Sequence, residues 1–250
     1  MKRIYFIILS LFINISFGQA IITYKVELDS MNELYQKNRN KSYILATKHS
    51  NKLNFILKYD GNDANYYMED IMASENAYGI KQAIATTHGF KFLYITKGVS
   101  YFEPMSYSGN KNQYIIADSI NKNWKITGES KIIKGFECYK AIGEIKITEP
   151  EKGEVLQIKK KPKVVTAWFC PKIPIPLGPK GFGGLPGLIL SLSYDKFNIS
   201  VDHINLKPKK KIKIKKIEGT NLISEANYMK IMIEKKLEEL KANGINIDKM

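Results

Sequence analysis

The chain is 250 residues long and 44% hydrophobic, enough for one domain with a proper core, and its formal net charge is +15. That charge is carried almost wholly by lysine, since Arg3 and Arg39 are the only arginines. Base reading and bidentate phosphate clamping favour arginine, so the balance argues against a nucleic-acid partner and leaves contact with anionic lipid or polysaccharide open.

Residues 1–18 read as a secretory signal peptide: Lys2 and Arg3, an apolar run broken only by Ser10 and Asn14, then the small-x-small ending Ser16-Phe17-Gly18. The run is shorter than the ~20 apolar residues of a spanning helix. No Cys follows the cleavage point, and no later window is long and apolar. The expected product is exported, periplasmic or extracellular, with no lipid anchor and no transmembrane segment after signal removal. Residues 19–220 then read as a β-rich domain and residues 221–250 as a C-terminal helix and tail.

Alternating or continuous apolar runs bounded by turn residues dominate the body. Residues 21–28 form an opening strand, and 29–50 a helix or a long loop, with Asp29 as a possible cap. Residues 53–59 and 64–68 pair across a tight hairpin turn at Asp60-Gly61. Residues 71–89 are small and polar without a clear period, as in a mobile surface segment. Short strands follow at 91–96, 99–102, 114–118, 123–127, 130–133, 137–148, 163–169, 188–194, 198–206 and 210–218. In the last of these, Ile212 and Ile214 face one way and Lys211, Lys213 and Lys215 the other, a half-buried strand with a wet face. Residues 224–243 form the clear helix, capped by Ser224, with Met229, Ile233, Leu237 and Leu240 at near-helical spacing and Gly244 as its stop.

Candidate chemistry is sparse. His49, His88 and His203 are scattered and make no metal-ligand spacing. Asp60, Asp63, Glu69 and Asp70 cluster near a hairpin, but Asp60-Gly61-Asn62-Asp63 lacks the carboxylate density of a calcium loop and reads as a turn. No catalytic residue, cofactor or metal is indicated. Cys138 and Cys170, the only cysteines, lie in strand-like segments; they form either a cross-strand disulfide or two separately buried thiols.

The densest information lies in residues 171–190, PKIPIPLGPKGFGGLPGLIL. The strand before it is apolar on both faces: Val164, Thr166, Trp168 and Cys170 on one, Val165, Ala167 and Phe169 on the other. Pro171, Pro174 and Pro176 then remove backbone donors and impose an extended path, along which Ile173, Ile175 and Leu177 present one apolar edge. Gly183 and Gly184 allow close backbone approach, and Pro186-Gly187 fits the corners of a type II turn. The block is either a crossover loop pinned over the end of the sheet or a rigid lip gating an apolar cavity. Its candidate rim residues are Trp168, Ile173, Ile175, Phe182, Leu185 and Leu188; Gly183, Gly184, Pro186 and Gly187 are its turn-forming motif.

Ala167-Trp168-Phe169, Ile173-Pro174, Gly178-Pro179 and the run Gly184-Leu185-Pro186-Gly187-Leu188-Ile189 resemble the signature of the GLPGLI family. Trp124, Thr127 and Gly128, followed by Gly135-Phe136-Glu137-Cys138, are similar to that family's layout. The resemblance implies an exported envelope protein of Gram-negative bacteria without an assigned activity, and transfers no catalytic residue. The strand series with one C-terminal helix points to a mainly β fold, a strongly curved antiparallel sheet or incomplete barrel. Its order also resembles the open-barrel carriers that ferry lipoproteins across the periplasm. The expected role is a non-enzymatic carrier or accessory protein for an apolar ligand or an outer-envelope protein. The alternatives are a hydrolase using carboxylates near residues 60–70 and a purely structural envelope protein.

Overall fold

The structure, a computed structural model, describes residues 18–30, 41–71, 78–87, 90–104, 114–120, 122–150, 158–219 and 221–243. Residues 1–17 of the expected signal peptide, His88 and Gly244 lie outside them. The strands are β1 (Ala20–Leu28), β2 (Asn54–Tyr59), β3 (Ala64–Met68), β4 (Phe90–Thr96), β5 (Val99–Pro104), β6 (Ile115–Ser119), β7 (Lys125–Ile133), β8 (Phe136–Pro150), β9 (Ile158–Cys170), β10 (Leu188–Tyr194), β11 (Phe197–Asn205) and β12 (Leu222–Ile223). The helices are α1 (Lys41–His49), α2 (Tyr78–Thr87) and α3 (Glu225–Ala242), with 3-10 turns η1 (Ser50–Lys52) and η2 (Pro179–Gly181).

All twelve strands join one curved, open sheet in the order β12-β6-β5-β4-β3-β2-β1-β11-β10-β9-β8-β7. Every pairing is antiparallel except β12 with β6. The fold is therefore mainly β with a C-terminal helix, as the sequence pattern implies. Hairpin chemistry fixes much of the register. Lys97-Gly98 and Lys134-Gly135 have positive φ at both central positions, the condition for two-residue turns that match strand twist. At the β2–β3 turn, Asp60 Oδ1 accepts from Asn62 N (3.0 Å) and Asp63 N (2.9 Å), which builds the predicted hairpin.

Strand β1 shows how alternation selects the core face: Ala20, Ile22, Tyr24, Val26 and Leu28 are buried and the residues between them are not. Tyr24, Tyr66 and Phe55 fill the concave side as an aromatic column, with Phe55 and Tyr66 rings 5.9 Å apart and nearly parallel. Helices α1 and α2 pack beside this column through Tyr43, Ala46, Ile80 and Ala83.

The structure corrects four local readings. Part of the supposedly mobile segment 71–89 is helix α2, whose buried face is Gly79, Ile80, Ala83 and Thr87. Three of those four are small, so the period is hidden in the sequence. Gly79 is needed because a Cβ there would lie 2.3 Å from the His49 ring. The two short strands expected at 123–133 are one strand, β7, with a register shift between Ile126 and Ser130. Residues 210–218 are extended but join no ladder. The Asn65 side chain takes the partner's place, accepting from Lys215 N (2.7 Å) and donating to Lys215 O (2.8 Å). Ile212 is still buried and Lys211, Lys213 and Lys215 exposed. Finally, β9 is fully covered along one face only: Val165, Ala167 and Phe169 are buried, whereas on the other face Val164 is 66% exposed, Thr166 and Trp168 are partly buried and only Cys170 is fully buried.

Helix α3 begins as expected, with Ser224 Oγ accepting from Asn227 N. It docks on the β6 side through Tyr228, which meets Tyr114 edge-on. No helix among the described residues is long and apolar enough to cross a membrane.

Candidate functional site

Between β9 and β10 the chain leaves the sheet and straps its concave side. From Cys170 it runs to η2, which meets β3 and β4, and returns to Leu188. Three γ-turn hydrogen bonds set its path: Ile175 N to Ile173 O (2.7 Å), Leu177 N to Ile175 O (2.8 Å) and Gly187 N to Leu185 O (2.8 Å). Each turn is centred on a proline, Pro174, Pro176 or Pro186, where no N–H is needed and the ring presets φ. The prolines face solvent, and Ile173, Ile175 and Leu177 are driven inward. The type II turn expected at Pro186-Gly187 is not formed, because the Gly187 N–H closes on Leu185 O and Leu188 N goes to Ile173 O (2.9 Å).

Cross-links to both limbs of the sheet complete the strap. Gly183 N donates to Ile120 O (3.0 Å), just beyond β6, and Gly184 N to Pro176 O (3.0 Å). Trp124 Nε1 donates to Gly183 O (2.7 Å), and its ring lies 6.3 Å from Phe182. A Cβ on Gly143 would press into that indole at 2.9 Å, so Gly143 makes the seat for Trp124. Tyr24 Oη donates to Ile189 O (2.8 Å) from the central strand. Ile173, Ile175, Phe182, Leu185 and Leu188 all end up buried. Trp168 stays partly exposed on the outer face under Lys131, whose Nζ sits 4.1 Å from the ring centroid.

A cavity of about 370 Å³ remains where the strap meets two hairpin tips. Pro176, Leu177 and Gly184 form its strap wall; Tyr59, Ile95 and Ile120 supply apolar surface opposite, and Asn62 and Lys97 stand among the hairpin residues. Burial, with Asp60 nearby, raises the Tyr59 phenol. A shallower groove of about 430 Å³ runs along His203, Leu206 and Phe136 on the other limb.

The inner side of the strap holds Lys180, in a left-handed conformation (φ 54°). Its Nζ donates to Thr87 O (2.8 Å) at the end of α2 and lies 4.2 Å from the Phe197 ring. Burial, then Lys196, brings its ammonium down to about 7. Burial raises Tyr24, Tyr66 and Tyr194 in the same interior, leaving neutral phenols at physiological pH. This interior is a structural polar lining within a filled core.

The carboxylates near the β2–β3 hairpin serve structure: Asp63 accepts from Tyr94 Oη (3.0 Å) and Glu69 from Asn54 Nδ2 (2.7 Å). Among the described residues no cluster of three or more His, Cys, Asp or Glu could hold a metal. Sequence reasoning gave Trp124 no role and passed over Lys180. The tryptophan stood out as part of a motif, but its partner is 59 residues away.

Residues 124–191 match the profile of a family described as "Protein of unknown function (Porph_ging)". That interval starts at the Trp124 clamp and ends just past the strap. No curated protein matches the chain. Two solved structures of PNGF-II are similar over 87% of this chain at 17% identity, with TM-scores of 0.48 and 0.47. The chain spans about a third of their length. The Mycobacterium tuberculosis lipoprotein LppX matches over 78% of this chain and 90% of its own, at 9% identity and a TM-score of 0.28. Likenesses this distant assign no activity.

Proposed function

We propose that this chain is an exported, non-enzymatic binding or accessory protein that seats one apolar group in the cavity between the strap and the hairpin tips. The observation that carries this reading is the cavity itself: about 370 Å³, largely apolar, and walled by a strap whose backbone is fixed by hydrogen bonds to both limbs of the sheet. That volume lies at the small end of the range for ligand sites. The rest of the concave side is filled by aromatic side chains and the strap, so the occupant is compact: the end of a lipid chain or one side chain of an envelope partner. Export rests on residues 1–18, and the Gly184-to-Ile189 hexapeptide supports kinship with the GLPGLI envelope proteins.

The test is titration of detergent-free protein with a fluorescent fatty acid, together with photo-crosslinking from Asn62 at the cavity mouth in intact envelopes. Thr96→Trp, which fills the cavity from its rim, should weaken saturable probe binding or crosslinking at least about tenfold while the fold persists. Neither probe binding nor a crosslinked partner in the parent protein would overturn the proposal and leave a purely structural role.

A further inference from the structure

Cys138 and Cys170 meet at the root of the strap. The β8–β9 register pairs Tyr139 with Phe169 and Lys140 with Trp168, so the next facing position sets Cys138 opposite Cys170. Facing residues on antiparallel strands bring their Cβ atoms within the span of a disulfide. The two thiols are close enough to perturb each other's ionisation, and the Cys138 S–H donates to Phe136 O (3.4 Å). Both are fully buried and both are free thiols here.

We infer that Cys138 and Cys170 are the site of a structural disulfide that staples β8 to β9 where the strap leaves the sheet. Two other uses of a thiol pair fit poorly. A metal site needs further ligands, and no cluster of three exists among the described residues. A dithiol that exchanges with other proteins must be reachable, and these sulfurs are not. Position adds weight. Cys170 also faces Leu188 of β10, and its carbonyl accepts from Ile173 N (3.1 Å), so the bond would anchor both ends of the strap.

The bond forms by exchange with a disulfide oxidant, either a small disulfide such as oxidised glutathione or a protein oxidant, before the site closes. One thiolate of the pair, taken as Cys170, attacks the oxidant, forming a mixed disulfide and releasing one thiolate of the oxidant. Cys138 then loses its proton and attacks the Cys170 sulfur, and the second oxidant thiolate leaves. Two S–H bonds are lost, one S–S bond is made, and the oxidant is reduced to two thiols.

The test uses the full chain, reduced and unfolded, then refolded in a glutathione buffer. The expected product is a monomer lighter by two hydrogens, with the two cysteine peptides linked in a non-reducing digest. Two alkylated thiols after denaturation of the refolded sample would overturn the inference, as would an intermolecular dimer linked through these residues. Oxidised wild type should gain about a hundredfold or more in folding equilibrium over its reduced form. Oxidised and reduced Cys138→Ser should coincide, a comparison made within each variant and so independent of the substitution's own cost. Dithiothreitol should reduce the native bond at least about tenfold more slowly than the unfolded one. Equal rates would show an exposed bond and refute the staple.

Discussion

Gly187→Ala tests the central claim about the strap, that its path is set by backbone contact. A Cβ at residue 187 would lie 2.2 Å from Cys170 O, 2.5 Å from Cys170 C and 2.9 Å from Pro171 Cα. All three are main-chain atoms, so no rotamer relieves the overlap. Reaching ordinary contact requires a backbone shift of about 1 Å in close-packed surroundings. Cys170 resists, because it pairs with Leu188 and its carbonyl holds Ile173 N. Gly187 resists too, through its bond to Leu185 O. The loss should sit at the upper end of the range for overpacking, about 3 kcal/mol, or roughly 6–12 °C in Tm for a chain of this size. Gly184→Ala is the internal control. Gly184 is exposed with φ 81°, so alanine there meets left-handed strain of about 1–2 kcal/mol. Urea unfolding followed by far-UV circular dichroism measures both. A Gly187→Ala midpoint equal to wild type, or a larger loss at Gly184, would refute the close-approach argument.

Trp124→Phe keeps a ring over Gly143 but removes the donor to Gly183 O; it should cost about 1–2 kcal/mol and raise amide exchange through residues 176–187, and unchanged exchange there would deny the clamp. Trp168→Ala should cost only about 1–2 kcal/mol, less than the ~3–5 of a core tryptophan, because the ring is only partly buried beneath Lys131; a loss above about 3 would place it in the core. Lys180 gives a pH signature. Its folded-state value, about 7, lies below the usual 10.5, so the unfolded chain binds the extra proton between those values and the fold gains stability as pH rises through that window. The Thr87 carbonyl and the Phe197 face favour the ammonium, so the gain attributable to Lys180 should be about 1–2 kcal/mol. In Lys180→Met that increment should vanish from the pH 7 to 10 stability curve, and an identical slope in both proteins would refute the assignment.

The strap was the most legible part of the chain because proline restricts its conformation locally. Isoleucine, proline, isoleucine, proline, leucine leaves one apolar edge whichever fold follows, and Ile173, Ile175 and Leu177 are buried on that edge. The turn closing at Gly187 was less legible, since proline-glycine admits both a type II turn and the observed γ-turn. The choice is made by Cys170 and Ile173, which are remote in sequence. On β9, residue type misleads: Val164 and Trp168 are apolar but face outward, and Lys131 from β7 provides the cover over Trp168. Helix α2 escaped notice for the opposite reason, as Gly79 and Ala83 are core residues only because another helix lies against them.

The same distinction decides what shapes the candidate cavity. Closing a barrel with strands would need β7 and β12, the two edges of the sheet, to meet; instead the sheet stays open and the strap spans its limbs. A strap rich in proline cannot be absorbed into a ladder, so it stays a separate wall whose position depends on a few contacts: Trp124 on Gly183, Gly183 on Ile120 and Lys180 on Thr87. Cavity shape is therefore decoupled from the sheet edges. Truncating α3 and β12 should disturb the Tyr114 contact and leave probe binding unchanged, whereas Trp124→Phe should weaken binding with little change in strand content. If the two changes weakened binding alike, the strap would be no independent wall, and the cavity would be a by-product of sheet curvature.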